Sequence, residues 1–253
     1  MLHDRPERVG AVWEEAKFKS ADGTDLTGLW FPARGGPSKG VVVQFHGNGE
    51  NMTSHYLFVY WLALEGYDVF AFDYRGYGAS GGKKSISGAV ADGAAAIAAA
   101  RKRAGGSSGR IVVLGQSLGG AIALASLEKD GGEGVKGVVL DSTFSSYRGV
   151  AQEKLGHLWL TWPLQWPLSR LLISDRYAPY KLIGRRKPVP LLVMHCENDP
   201  VVPYAQGRAL YDAAAAPKEF WKIAGSGHTE ALGNRGAQYR RPLVDWLDRV
   251  LAL

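Results

Sequence analysis

Cysteine is almost absent from this chain of 253 residues, whose single cysteine is Cys196. One cysteine cannot form an intramolecular disulfide, which excludes the small disulfide-stabilised secreted folds and zinc sites built from several cysteines. Long hydrophobic runs are also missing, because glycine, proline or charge interrupts each one before the roughly 18 residues of a membrane helix. The first ten residues are polar and show no apolar signal segment. We therefore expect a cytoplasmic protein.

Charge of one sign does not dominate the sequence, since 30 Lys and Arg residues face 24 Asp and Glu residues, a net charge of +6. The basic residues form small groups, such as Lys83-Lys84 and Arg240-Arg241, without interleaved aromatic residues. Solvated helix faces explain such groups better than nucleic-acid binding does. We expect no nucleic-acid partner, and a weak association with anionic membrane surfaces is the more plausible use of the charge.

Short β-branched runs alternate with helical segments through most of the chain. Two runs in which apolar and polar residues alternate are separated by Asp22-Gly23, and they predict an antiparallel hairpin at a sheet edge. Later runs with little alternation are typical of parallel strands buried on both faces, at residues 40–45, 67–72, 110–114, 135–140 and 190–194. Helical patterns lie at residues 54–65, 87–103, 118–129 and 205–215, before a last strand at 219–223 and a last helix at 237–250. This order predicts an α/β fold with a mostly parallel, doubly wound sheet in a single domain, residues 1–253.

Residues 142–187 interrupt this alternation, because they separate two predicted strands by several times the usual length of a connection. We interpret them as a helical cap inserted into the domain. The middle of the cap contains Trp159, Trp162 and Trp166. These tryptophans are predicted to pack the cap onto the sheet; the alternatives are that they bind substrate along an acyl pocket or form an interfacial surface.

The strongest local signal is Gly115-Gln116-Ser117-Leu118-Gly119-Gly120, which follows a predicted strand and precedes an apolar helix. It is the G-x-S-x-G pattern in the context that the pattern requires. A strand-to-helix turn this sharp strains its central residue and leaves space only for small flanking residues. Ser117 is the predicted nucleophile, at the positive end of a helix, and the backbone amide of Leu118 is a predicted oxyanion donor.

A serine nucleophile needs a base, and the base needs a carboxylate that orients it. His228 follows the last predicted strand in a glycine-rich loop and is the predicted base; the other five histidines are predicted to be non-catalytic. Asp199, in the loop after strand 190–194, gives the chain order Ser, Asp, His expected of such a site. Asp141, at the end of the preceding strand, is the alternative acid.

The second oxyanion donor is expected in the loop His46-Gly47-Asn48-Gly49-Glu50-Asn51, directly after strand 40–45. The backbone amide of Asn48 is the predicted donor, with Gly49 as the alternative by one register step. Cys196 follows a buried strand without basic neighbours, which predicts an inert packed thiol. No metal or organic cofactor is predicted.

These motifs together resemble the α/β-hydrolase superfamily, and within it the small serine hydrolases with an H-G-N-x-x-N loop after the third strand. The resemblance spans nearly the whole chain and rests on motifs in the family's order, at residues 46–51, 72–81, 115–120, 140–144, 198–203 and 227–228. It implies an eight-stranded sheet with a short cap, and hydrolysis of esters, thioesters or, in some relatives, peptide bonds. Bacterial carboxylesterases and eukaryotic depalmitoylases are among the relatives.

The sequence therefore predicts a serine hydrolase that cleaves carboxylic esters of a small-molecule substrate through an acyl-enzyme intermediate. Because the cap is apolar but short, we expect a preference for short to medium acyl chains. A thioesterase, a lipase or a peptidase would use the same residues, and a binding protein that retains the fold is a further alternative. Ser117 argues against dehalogenases and epoxide hydrolases, which need a carboxylate nucleophile at this turn.

Overall fold

A computed structural model describes residues 6–105, 109–156, 165–185, 189–233 and 236–252 of the chain. Its strands are β1 (Glu14–Lys19), β2 (Asp25–Phe31), β3 (Val41–Phe45), β4 (Asp68–Phe72), β5 (Ile111–Gln116), β6 (Val135–Asp141), β7 (Leu191–Asn198) and β8 (Lys218–Ser226). They form one sheet in the order β1-β2-β4-β3-β5-β6-β7-β8. The pairs β1–β2 and β2–β4 are antiparallel and the other pairs are parallel. The predicted α/β class and the eight-stranded, mostly parallel sheet are confirmed.

The helices are α1 (Met52–His55), α2 (Ile86–Arg103), α3 (Leu118–Asp130), α4 (Tyr147–Gly156), α5 (Gln165–Leu172), α6 (Pro179–Leu182), α7 (Tyr204–Ala213) and α8 (Gly236–Leu251). They cover both faces of the sheet. Leu243, Trp246 and Leu247 of α8 pack against one face, and Ile97 of α2 and Ile122 of α3 pack against the other. No helix in these described ranges is both long and apolar enough to cross a membrane.

The predicted helix at residues 54–65 is the main difference from the sequence analysis. Only α1 is α-helical there, and two 3₁₀ segments follow, Tyr56–Phe58 and Tyr60–Glu65. Tyr56, Val59 and Leu62 are all fully buried, so this segment buries every third residue. Because side chains three residues apart lie above one another in a 3₁₀ helix, that geometry buries this set more completely than an α-helix would.

The cap connects β6 to β7, as predicted, and its described parts are residues 142–156 and 165–185. Helices α4 and α5 pack against each other, and Gln152 Nε2 of α4 donates a hydrogen bond to Ser169 Oγ of α5 at 3.0 Å. The carboxyl ends of β5 and β6 are in register, with Gln116 opposite Asp141. This register brings the loops that carry the predicted site residues to one edge of the sheet.

Candidate active site

Ser117 occupies the turn between β5 and α3 in a strained backbone conformation, with φ 54° and ψ −121°. A positive φ is uncommon for a residue other than glycine and persists only where the surroundings fix it. Here the backbone N–H of Ser117 donates a 2.8 Å hydrogen bond to the carbonyl of Asp141, which holds the turn against the end of β6. The side chain of Ser117 therefore projects from a rigid turn at the carboxyl edge of the sheet.

The glycines beside Ser117 are required by close backbone approach. A Cβ atom on Gly119 would lie 2.1 Å from the carbonyl oxygen of Phe45 and 2.5 Å from that of His46. A Cβ atom on Gly115 would lie 2.4 Å from the Cα atom of Gly120. Any larger residue would push α3 away from the loop after β3, so the predicted need for small residues has a direct steric cause.

His228 and Asp199 are hydrogen-bonded, with 2.8 Å between Nδ1 of the histidine and Oδ2 of the aspartate. Asp199 Oδ1 accepts two further hydrogen bonds, from the backbone amides of Val201 and Val202. Burial alone would raise the pKa of Asp199, but the hydrogen bonds from His228 and the two amides outweigh it and hold the pKa below its usual value. An ionised Asp199 fixes the proton of His228 on Nδ1 and leaves the lone pair on Nε2.

The free nitrogen of His228 and the hydroxyl of Ser117 are both available for a substrate. Within the ranges that the structure describes, neither His228 Nε2 nor Ser117 Oγ makes a hydrogen bond. In free enzymes the hydrogen bond between a catalytic base and its nucleophile is commonly long, and it shortens when substrate binds. The two residues are connected through the end of β6, because Ser117 binds the Asp141 carbonyl and Thr229 binds the hydroxyl of Ser142.

Ser142 holds the loop that carries His228, a contact that the sequence analysis missed. Its hydroxyl accepts a 3.0 Å hydrogen bond from the Thr229 amide and donates one of 3.2 Å to Asp141 Oδ1. Ser142 and Thr229 both have a positive φ, 53° and 60°. The only sequence signal for this contact is the position of Ser142 directly after the acid at the end of a strand.

Asp141, the alternative acid, is buried behind this contact. It accepts hydrogen bonds from Gln116 Nε2 at 3.3 Å and from Ser142, and none from His228 among the described residues. Burial raises the pKa of Asp141 to about 7, although Gln116 and the charge of His228 oppose the rise. The carboxylate that holds the imidazole is thus that of Asp199.

The backbone amides of Leu118 and Asn48 have no acceptor among the described residues. Leu118 is the first residue of α3, where helix geometry leaves the N–H groups without intrahelical partners. The loop with Asn48 lies beside Ser117, since a Cβ atom on Gly47 would be 3.6 Å from Ser117 Cβ. Two unused donors beside the serine are what stabilisation of an oxyanion requires.

Two tyrosines after β4 support the loop with Asn48. Tyr77 donates a 3.0 Å hydrogen bond from its hydroxyl to Asn48 Oδ1, and Tyr74 donates one of 3.1 Å to the carbonyl of His46. Sequence reasoning placed both tyrosines in a family motif but assigned Tyr77 no contact. Because the partners come from different strands, only the sheet order brings them together.

Two other buried histidines, His46 and His195, lie against backbone carbonyl groups. His46 Nδ1 lies 2.8 Å from the carbonyl of Gly47, and His195 Nε2 lies 2.8 Å from that of Val202. Burial lowers the pKa of His195, so it is neutral and donates from Nε2. Cys196 is buried and burial raises its pKa to about 11, which agrees with the predicted inert thiol.

The cap tryptophans, predicted to pack the cap onto the sheet, with substrate binding or an interfacial surface as the alternatives, are only partly described. Trp159 and Trp162 lie outside the described residues, and Trp166 is 56% exposed on α5. The exposure of Trp166 contradicts the predicted packing onto the sheet for that residue, and contact of the three tryptophans with substrate stays a prediction. An apolar wall does adjoin the site, where Leu118 and two cap residues, Tyr147 and Val150, pack against a buried cluster formed by Ala121, Phe144 and Val202. The described residues include no group of three or more His, Cys, Asp or Glu side chains suited to a metal ion.

Comparison with solved structures identifies the fold. An esterase of Pyrococcus furiosus, Pf2001, superimposes with a TM-score of 0.75 over 98% of this chain and 94% of its own, at 20% identity. A thermophilic esterase of Thermogutta terrifontis gives a TM-score of 0.67 over 94% of this chain and 99% of its own, at 18% identity. At such identities the likeness shows the fold alone, and that fold is the α/β-hydrolase fold.

Sequence comparison identifies the family. Residues 36–186 match the family model described as serine aminopeptidase, S33 (Hydrolase_4). The Escherichia coli protein YfhR, which is uncharacterised, is 35% identical over 238 residues that cover 92% of this chain and 80% of its own. WAV2 of Arabidopsis thaliana, an α/β-hydrolase domain-containing protein, is 31% identical over 216 residues, 83% of this chain and 70% of its own. The chain belongs to this S33 family of α/β-hydrolases.

Proposed function

We propose that the protein is a serine hydrolase that cleaves carboxylic esters through an acyl-enzyme intermediate, with Ser117, Asp199 and His228 as a catalytic triad. The observation that carries the proposal is the 2.8 Å bond between His228 Nδ1 and Asp199 Oδ2, because it leaves a basic nitrogen free at the edge where Ser117 projects. The unused amides of Leu118 and Asn48 support it as the oxyanion hole.

The acylation step follows from these positions. Ser117 Oγ attacks the ester carbonyl carbon while His228 Nε2 takes the hydroxyl proton, and the carbonyl oxygen becomes an oxyanion held by the two amides. Asp199 stabilises the imidazolium that forms. The tetrahedral intermediate then collapses, and the departing alkoxide leaves as an alcohol after it takes the proton from His228.

Deacylation repeats the same chemistry with water. His228 Nε2 takes a proton from a water molecule, whose oxygen attacks the acyl carbon attached to Ser117. The second tetrahedral intermediate releases the carboxylic acid, and His228 returns the proton to Ser117 Oγ. The chain's own residues supply every proton transfer in this cycle.

The proposal also specifies the type of bond that is cleaved and the length of the acyl chain. The names of the structural neighbours favour esters, whereas the family description names an aminopeptidase, so a peptidase that uses the same residues is the second candidate. The wall formed by Leu118, Tyr147 and Val150 suits an apolar acyl group, and the short cap favours short to medium chains.

Hydrolysis of p-nitrophenyl esters from acetate to palmitate, beside aminoacyl p-nitroanilides, tests the proposal. We expect ester turnover by the wild-type chain and a loss of about 10⁴-fold or more in Ser117→Ala. Ser174→Ala, at an exposed serine of the cap, is the matched control and keeps full activity. Ester turnover that survives Ser117→Ala would refute the proposal, and turnover of anilides alone would establish the peptidase.

Covalent labelling separates the acyl-enzyme mechanism from other routes. A fluorophosphonate probe phosphonylates an activated serine, so we expect one adduct, on the peptide that contains Ser117, by mass spectrometry. Labelling at another serine, or equal labelling of His228→Ala, contradicts the assigned roles.

A further inference from the structure

Helix α5 of the cap exposes large apolar side chains to solvent. Leu171 is 81% exposed and Leu172 is 70% exposed, and Trp166 of the same helix is 56% exposed. Four of the nine large hydrophobic residues that are exposed in the described ranges fall between residues 166 and 180. We call Trp166, Leu171 and Leu172 the α5 patch. Apolar residues grouped in this way mark an interaction surface more often than single exposed ones do.

The α5 patch is exposed because, among the described residues, α5 packs against the protein along one side. Ser169 is the buried residue among the described side chains of α5, and it receives the hydrogen bond from Gln152 of α4. Trp166, Arg170 and Leu171 lie outward of this contact. Because so little of the surface of this eight-residue helix is buried, α5 contributes little to the hydrophobic core.

The segment that contains the α5 patch carries positive charge on its surface. Residues 165–185 contain five charged residues, namely Arg170, Asp175, Arg176, Lys181 and Arg185. Asp175, the one acid among them, is buried and accepts hydrogen bonds from Ser146 and from the Arg148 amide. The exposed charge of this segment is therefore cationic.

The basic side chains also lie over aromatic rings. Arg170 is 5.4 Å from the ring centre of Trp166, Arg176 is 5.4 Å from that of Tyr177, and Lys181 is 5.6 Å from that of Tyr180. Aromatic rings paired with basic groups are typical of segments at the boundary between lipid headgroups and acyl chains.

We propose that α5 docks onto anionic lipid bilayers, with the α5 patch among the upper acyl chains and Arg170, Arg176 and Lys181 at the lipid phosphates. This interaction goes beyond the proposed hydrolase activity and does not depend on it. A second copy of the chain is a poorer occupant, because a symmetric contact would bring the same cationic residues face to face. A bilayer with negative headgroups satisfies both the apolar and the charged side chains.

The position of α5 determines which side of the candidate active site would face a bilayer. Helix α4, against which α5 packs, contributes Tyr147 and Val150 to the apolar cluster that Leu118 also packs against, beside the candidate active site. Docking through α5 would thus hold the cap side of the site, and not the opposite edge of the sheet, towards the bilayer.

Vesicle flotation tests the proposal. The Ser117→Ala protein is used so that lipids stay intact, with vesicles of phosphatidylcholine alone or mixed with phosphatidylglycerol. We expect binding to the anionic vesicles that falls with added salt, and a loss of about tenfold in Leu171→Ser/Leu172→Ser. Leu64→Ser is the matched control, since Leu64 is 60% exposed on a different segment, and it binds normally.

A second pair of variants tests the charges. Arg170→Gln/Arg176→Gln is expected to weaken binding to anionic vesicles and to reduce its salt dependence, whereas Arg241→Gln, at an exposed arginine of α8, changes neither. Absent binding, equal binding to neutral vesicles, or binding unaffected by the leucine variants overturns the proposal. A dimer in size-exclusion chromatography that the leucine variants abolish also overturns it, because α5 would then be a contact between copies.

Discussion

The carboxyl edge of the sheet and the cap are built in opposite ways. At the edge, hydrogen bonds hold the turn of Ser117 and the loop of His228 to the end of β6, and Asp199 is bound to His228 and to two amides of its own loop. In the cap, α5 is attached along one narrow side and exposes its apolar residues. If both proposals hold, the catalytic residues lie on the part of the molecule that hydrogen bonds fix in place, and the lipid contact lies on a helix with few such constraints.

The largest effect on activity is expected from a substitution of Asp199, the acid at the carboxyl edge of the sheet. Asp199→Asn is expected to lower kcat by about 10⁴-fold, because the amide favours the wrong tautomer of His228. Steady-state ester hydrolysis measures the loss. Glu197→Gln, two residues earlier at the end of β7, is the control, since Glu197 pairs with Lys222 at 2.6 Å on the surface, and it should change kcat little. Equal losses in both variants would mean that the loop, and not the acid, matters.

The second effect concerns the buried carboxyl of Asp141, whose pKa burial raises to about 7. Between the unfolded pKa, about 4, and this value the folded state binds more protons, so Asp141 makes stability fall as pH rises from about 4 to 7. Asp141→Asn removes this dependence. The variant should gain about 2–4 kcal/mol relative to wild type between pH 5 and pH 8.

Urea unfolding at pH 5 and at pH 8 measures this change for Asp141→Asn. Asp245→Asn, at an aspartate on the surface of α8, is the control and should show no such gain. A difference between variant and wild type that is the same at both pH values would contradict the assigned burial effect.

A smaller effect is expected at the contact that holds the His228 loop. Ser142→Ala leaves the Thr229 amide without its acceptor, so kcat should fall about tenfold with little change in KM. A role in substrate binding would change KM instead. Ser146→Ala, which removes a hydrogen bond to Asp175 at 2.9 Å in the cap, should leave both constants unchanged.

The smallest effect should come from the cap surface. Leu171→Ser/Leu172→Ser is expected to change the free energy of unfolding by less than about 0.5 kcal/mol, because neither side chain is buried. Thermal unfolding checks this. A loss of several kcal/mol would show that α5 contributes to the core, and the contrast between the two regions would then be wrong.

Features that depend on local pattern were predictable from the sequence. The buried strands, the hairpin at Asp22-Gly23 and the turn at Ser117 each have a periodicity or a residue requirement that neighbouring positions reveal. Contacts between distant segments were not: Ser142 with Thr229, and Tyr77 with Asn48, meet only because the sheet order places their loops together. The 3₁₀ segments after α1 were missed because an apolar, aromatic run fits either helix type until its buried face is known.

The cap tryptophans illustrate a different limit. An apolar composition suits a pocket wall and an exposed face equally well, so Trp166 could be assigned to either from its neighbours in the chain. Its side chain is exposed beside Arg170, a relation that depends on which side of α5 packs against α4. Orientation of this kind is set by tertiary contacts and not by periodicity over eight residues.

The tight approach of Gly119 to the carbonyl groups of Phe45 and His46 also bears on how such a protein changes its substrates. A methyl group at position 119 would clash with both carbonyl oxygens, so helix α3 would have to move away from them to accept it. We therefore expect a larger residue at position 119 to be poorly tolerated. New substrate ranges, whether selected in nature or by laboratory evolution, should arise first through changes at Tyr147 and Val150 on the cap.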